Sequence, residues 1–183
     1  TNLKIDSNEG LKSLKGIEKL PNLTTLEITE NNNLKSFGIT ETLKSLKTLI
    51  IDENYNLTSL GDIKHLKTIT TIKLLGKIQF NLFKEIGNLP NLRRLDINGK
   101  TLRGIASLEH LRNLQKLEEL NLSYNLFLYQ LKGIESLINL KKLRIEGNHN
   151  LSIFKGIEKL ERLTELEISN NGNFSSLARI ENL

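Results

Sequence analysis

Apolar residues recur along this chain at two spacings. In short stretches they alternate, as in Leu3 and Ile5, Leu26 and Ile28, or Leu49 and Ile51, which is the period-two pattern of a strand with one buried face. Between those stretches they return at every third position or its multiple, as in Leu34, Phe37, Leu43 and Leu46. The whole arrangement repeats every 23 residues. Leu3, Leu26, Leu49, Ile72, Leu95, Leu120, Leu143 and Leu166 form one column, and Ile5, Ile28, Ile51, Leu74, Ile97, Leu122, Ile145 and Ile168 form a second. The second column is rich in β-branched side chains, which suit a pleated surface. Three residues further on stand Asn8, Asn31, Asn54, Lys77, Lys100, Asn125, Asn148 and Asn171. Each unit therefore predicts a short strand, a bend at the asparagine and a return segment. A single unit cannot bury its own leucine stripe, so successive units must stack and share one core.

The unit, LxxLxIxxNxxLxxLxxIxxLxx, resembles the leucine-rich repeat family over essentially the whole chain. It is most similar to the short SDS22-like and internalin-like repeats, lengthened by one residue at "NYNL", "NHNL" and "NGNF". The resemblance implies an α/β solenoid: a right-handed horseshoe with parallel strands on its concave side and mainly 3₁₀ or irregular turns on its convex side. It also implies that the column asparagines point inward and bond to the backbone of adjacent turns as a ladder. Lysine cannot accept a hydrogen bond and is costly to bury unpaired. Lys77 and Lys100 are therefore expected to turn outward and interrupt the ladder. The chain begins inside a strand at "TNLKI" and stops at "ARIENL" before another strand could form. Residues 1–183 thus read as one domain of about eight repeats, drawn from a longer protein that holds the caps.

Pro21 and Pro90 share a position on the return segment, where proline suits a short ending turn and opposes a long helix. Most convex segments should therefore lack α-helix. The fifth unit is the expected exception, because it is two residues longer, from Leu92 to Leu117, and "ASLEHLRNLQKL" offers Ser107 as an N-cap before an amphipathic run. One or two helical turns are expected there.

Composition narrows the chemistry. The 183 residues carry a formal charge of +5 and contain no cysteine, which excludes disulfides and thiolate metal sites. No apolar run is long enough for a membrane span, so no membrane insertion is expected. His65, His110 and His149 fall in separate units without matching carboxylate spacing, and no phosphate loop or nucleophile motif is present. The chain therefore reads as non-catalytic, with no cofactor and no metal. Gly16, Gly133 and Gly156 share one unit position and serve a turn.

Function must then reside in outward-facing side chains. The strand positions Thr25, Thr48, Thr71, Arg94, Glu119, Lys142 and Glu165 lie in one column, and Glu27, Ile50, Lys73, Asp96, Asn121, Arg144 and Glu167 in another. From the fifth unit on the signs alternate, so these charges are expected to pair across the sheet. The first half differs: Ile50 and Leu75 are apolar on a face that should be wet, beside Glu30, Asp52 and Glu53, with Tyr55 and Tyr124 as aromatic anchors on the same edge. The candidate partner site is Ile50, Asp52, Glu53, Tyr55, Lys73, Leu75, Arg94 and Tyr124. The family resemblance implies a module that binds a protein or peptide on its concave face and rim, and its internalin-like flavour favours an extracellular or cell-surface setting over a cytoplasmic one. Two alternatives stay open. One is polyanion or nucleic-acid binding, prompted by an isoelectric point near 9.3; the mixed signs and sparse aromatics weigh against it. The other is service as the recognition domain of an enzyme whose catalytic part lies outside this chain.

Overall fold

The protein is described here from a computed structural model that covers residues 1–38, 42–77, 79–99 and 105–175. Its eight strands are β1 (Asn2–Asp6), β2 (Thr25–Thr29), β3 (Thr48–Asp52), β4 (Thr71–Leu75), β5 (Arg94–Asn98), β6 (Glu119–Ser123), β7 (Lys142–Glu146) and β8 (Glu165–Ser169). They form one parallel sheet in sequence order. Pairing keeps the repeat register throughout, as in Leu26 beside Leu49 and Leu95 beside Leu120. The two extra residues of the fifth unit are absorbed outside the sheet. Sequential coils stacked along one axis are what the leucine columns require.

Alternate strand residues point inward: Leu26, Ile28, Leu49, Ile72, Leu74 and Ile97 are fully buried. The leucines of the return segments pack against them in one continuous core. Each such side chain contributes roughly 1.5 to 3 kcal/mol on burial, gained only when the neighbouring coil is in place.

The residue after each strand turns the chain. Ser7, Glu30, Glu53, Gly76, Tyr124, Gly147 and Asn170 all have positive φ there, and the backbone N–H at this point continues the sheet. Glu30 donates to the Asp52 carbonyl at 3.0 Å and Tyr124 to the Glu146 carbonyl at 2.7 Å. The asparagines then form the expected ladder. Asn31 Nδ2 donates to the carbonyls of Ile5 and Thr29, and Asn31 Oδ1 accepts the N–H of Asn8. Asn54 repeats the pattern one coil later, and Asn125, Asn148 and Asn171 form a second run. Between the two runs stand Lys77, which is exposed as expected, and Lys100, which lies outside the described residues.

The inserted residue of "NxNL" also acquires a role. The second asparagine forms an outer ladder: Asn33 donates to Glu9, Asn56 to Asn32, Asn150 to Leu126 and Asn173 to His149, each to a carbonyl one coil earlier. Gln79 does the same to Tyr55 at 2.9 Å. The fourth unit thus loses the inner rung and keeps the outer one.

The convex side carries 3₁₀ turns at Ile17–Lys19, Ile63–His65, Glu109–Leu111, Ile134–Ser136 and Ile157–Lys159. In the fifth unit the expected helical stretch is the single 3₁₀ turn Glu109–Leu111, and Ser107 does not cap it; its hydroxyl bonds the Glu109 carboxylate. The α-helix, α1 (Phe80–Ile86), sits instead in the fourth unit. Over seven residues the three-residue repeat of the return segment and the helical period of 3.6 are hard to distinguish, so Phe83 and Ile86 satisfy both, while buried Leu82, four residues before Ile86, fits the helix alone. Glu85 of α1 reaches back one coil to Ser59 Oγ at 2.9 Å and the Leu60 N–H at 2.6 Å. At the end of α1 a Cβ on Gly87 would sit 1.9 Å from the His110 carbonyl, so glycine permits the next coil's close approach.

Candidate functional site

The outward positions of the eight strands form one continuous sheet face. Its central and C-terminal part holds an open concavity of ≈ 370 Å³ bordered by Lys73, Arg94, Asp96, Glu119, Asn121, Lys142, Arg144, Glu165 and Glu167. The expected cross-strand pairing is present. Arg94 meets Glu119 at 3.0 Å, Lys142 meets Glu165 at 2.6 Å and Arg144 meets Glu167 at 3.2 Å, while Arg144 also meets Glu146 on its own strand at 2.6 Å. At the other end Lys4 is paired with Glu27 at 2.9 Å and with Asp6 at 3.3 Å. These pairs face solvent, where screening leaves them little weight in stability; their effect is to neutralise the cations of the face.

Counted over the outward strand positions and the rim residues that follow each strand, the face carries ten acidic side chains against five basic ones. That is a net −5 on a chain whose overall charge is +5. The acids that face no ion-pair partner among the described residues are Glu30, Asp52, Glu53 and Asp96. Burial, foremost, and then Glu53, Glu30 and Glu27 push the Asp52 carboxyl above its ordinary pKa. Burial likewise raises Asp96, partly offset by Lys73 and by a hydrogen bond from Asn121 Nδ2 at 3.0 Å.

The sequence-derived site divides into three groups. Ile50, Asp52, Lys73 and Leu75 lie together on β3 and β4: Ile50 is the register partner of Lys73 and Asp52 that of Leu75. Ile50 and Leu75 are half-buried rather than freely exposed, because neighbouring strands about 4.8 Å away cover their flanks. Lys73 is exposed and has no ion pair among the described residues. A second group sits on the rim. The Lys77 ammonium stacks over the Tyr55 ring at 4.9 Å from its centroid, and the Glu53 carboxylate accepts the Lys77 N–H at 3.3 Å. Glu53 is also the first cause raising the Tyr55 phenol pKa, as a hydrogen-bond acceptor. The backbone of Tyr55 is fixed on both sides, by its N–H on Asn32 Oδ1 at 3.2 Å and by Gln79 on its carbonyl. A Cβ on Gly76 would collide with the Glu53 side chain, so the glycine lets Glu53 lie flat.

The remaining two residues are placed differently. Arg94 is engaged with Glu119. Tyr124 is three strands from β3, roughly 14 Å at the usual strand spacing, and its hydroxyl is held by Glu146 at 2.9 Å over Gly147. It therefore does not share the Tyr55 edge contact. Nearby Leu126 and Phe127 are half-buried and Tyr129 exposed. The residues that sequence reasoning missed are Gln79, which the outer asparagine column could have revealed, and Asp96, whose burial had no sequence signal.

Two outcomes follow from this geometry. Asp52 has a folded-state pKa above its unfolded value, so its ionisation opposes folding: stability falls as pH rises through the window above the ordinary value of 3.8. Asp52→Asn should melt at or above the wild-type temperature at pH 7, by a gain of up to about 0.5 kcal/mol, and show no gain at pH 3. Lys77→Asn should restore the inner rung at the cost of the stacked cation. Two or three net hydrogen bonds at about 1 kcal/mol each against roughly 0.5 to 1 kcal/mol for the stacking predict a net gain of roughly 1 to 2.5 kcal/mol in urea unfolding.

Among the described residues no group of histidine and carboxylate side chains could hold a metal ion, and no helix is long and apolar enough to cross a membrane. No family model matches the sequence, and no curated protein matches it. Solved structures do match the fold. The leucine-rich repeat domain of the type III effector XopL superposes with a TM-score of 0.66 at 20% identity, covering 97% of this chain and 72% of that one. A Leptospira interrogans leucine-rich repeat protein gives 0.63 at 23% identity over 99% of this chain and 58% of its own. Internalin C2 of Listeria monocytogenes gives 0.55 at 21% identity over 92% and 80%. The chain thus has the leucine-rich repeat solenoid fold and spans just over half the length of the Leptospira protein.

Proposed function

We propose that this leucine-rich repeat solenoid is a recognition module that binds a protein or peptide on its concave sheet face and adjoining rim. The observation that carries the reading is a preformed surface: the strand backbones are held by a shared core and two asparagine ladders, so little backbone ordering entropy remains to be lost on binding. The charge distribution supports a protein partner on this face over a polyanion, since a net −5 repels phosphate. The fold neighbours include a bacterial type III effector domain and internalins, which is compatible with a bacterial interaction protein. Its likeness to them is one of architecture. The module itself is read as non-catalytic, and any enzyme activity would belong to other parts of a longer protein.

A photo-crosslinking amino acid placed at Thr48, on the concave face, or at Lys64, on a convex turn, tests the reading in an extract of the source cells. The expected result is a discrete protein adduct from Thr48 and none of comparable yield from Lys64. Adducts from Lys64 alone, or nuclease-sensitive adducts from Thr48, would refute it.

A further inference from the structure

Resting on the reading that the concave face is the recognition surface, we infer that its β2–β4 portion and the adjoining rim take an extended basic segment of a partner, in which lysine or arginine stands two residues from an aliphatic side chain. From β5 to β8 the cations of the face are already held by Glu119, Glu146, Glu165 and Glu167. Around β3 the balance is different. Among the described residues Glu30, Asp52 and Glu53 form no ion pair, and the Glu53 carboxylate accepts the Lys77 N–H. Asp52 is also half-buried, so its charge is poorly solvated and gains more than a surface carboxylate from an incoming ammonium or guanidinium.

An acidic surface alone would not choose a ligand, and the apolar positions supply the second half of the match. Ile50 lies two residues before Asp52 on the same side of β3, and Leu75 lies directly beside Asp52 on β4. A strand presents alternate residues to one side, so an extended segment laid along β3 sets an aliphatic residue on Ile50 and, two positions on, a basic residue whose charge meets Asp52 and whose methylene stem lies on Leu75. Tyr55, fixed by Lys77, Asn32 and Gln79, closes the rim. Lys73 and the Glu27-paired Lys4 border the site and set its limits, because both repel a cation placed further along the face. The charge on the rest of the molecule sharpens the choice: with −5 on this face, the remainder of the chain carries the excess of positive charge, so a basic segment is directed here and away from the convex side.

The test is a titration of isotopically labelled protein, observed by amide resonances, with a peptide of repeating Leu-Ser-Lys-Ser and with its Leu-Ser-Glu-Ser counterpart. The lysine peptide should shift amides of β2 to β4, Glu30 and Glu53, and weaken with added salt; the glutamate peptide should leave them unmoved. Glu30→Gln with Asp52→Asn should weaken the lysine peptide roughly tenfold, and Ile50→Ser with Leu75→Ser several-fold, both with melts that show an intact fold. A lysine peptide that shifts only β5–β8 or convex amides, or that binds the neutralised variant equally well, overturns the inference. If that happens while Thr48 still gives a protein adduct, the basic partner is rejected and the recognition face stands; loss of the adduct as well rejects both.

Discussion

Asn148→Ala is expected to destabilise the protein by about 3 to 5 kcal/mol in equilibrium unfolding. The side chain is fully buried and serves three backbone groups: Nδ2 donates to the carbonyls of Leu122 at 2.7 Å and Glu146 at 3.1 Å, and Oδ1 accepts the Asn125 N–H at 2.8 Å. Truncation strands all three away from water, at roughly 1 to 3 kcal/mol each. Relaxation and an entering water recover part of that. Asn148→Asp should be no better, because a carboxylate keeps the acceptor and loses the donor that faces two carbonyls. Asn150→Ala supplies the contrast: it removes one exposed outer-ladder bond to Leu126 and should cost less than about 1 kcal/mol. Equal losses at Asn148 and Asn150 would show that the inner ladder does not hold the coils together.

The second large effect separates the strain of a backbone conformation from the closeness of stacking. Gly16 and Gly133 occupy the same repeat position with φ of 104° and 102°, where an L side chain is strained by about 1 to 3 kcal/mol. At Gly16 a Cβ would meet nothing within 4 Å, while at Gly133 it would lie 2.6 Å from the backbone of Leu108 in the preceding coil. Gly16→Ala should therefore cost only the strain. Gly133→Ala should cost roughly 1 to 3 kcal/mol more, since the backbone it strikes is pinned by the Leu108 N–H to the Lys132 carbonyl at 2.8 Å. Matching losses in urea melts would mean that the coils can move apart at that point.

Much of the architecture was legible because the period is rigid. Columns such as Leu26, Leu49 and Ile72 fix which side of each strand is buried, and one-residue slips would expose all of them. The same columns foretold the alternating pairs from Arg94 onward. The inner ladder and its break at Lys77 came from the asparagine column together with the donor inventory of lysine. What stayed hidden depends on fine geometry. α1 escaped because Phe83 and Ile86 fit either a helix or a three-residue repeat, leaving Leu82 as the one residue that fits the helix alone. Ser107 was a plausible cap whose hydroxyl found the Glu109 carboxylate instead. The stacking of Lys77 on Tyr55 joins residues 22 apart, one short of the repeat, and column logic does not pair such positions. The acidic surplus of the face was in principle readable, since it follows from the outward columns once the strand phase is known; the overall basic charge masked it.

The binding account requires that β2 to β4 exist as an ordered face before any partner arrives, even though the inner ladder is interrupted next to them. Amide hydrogen exchange on the free protein measures this directly. The account predicts that the sheet-bonded amides of β2, β3 and β4 are protected to a degree comparable with those of β6 and β7, because stacked leucines and the outer rung at Gln79 carry order across the break. Exchange in β2 to β4 close to the rate of an unstructured chain, with protection gained only when the lysine peptide is added, would contradict it.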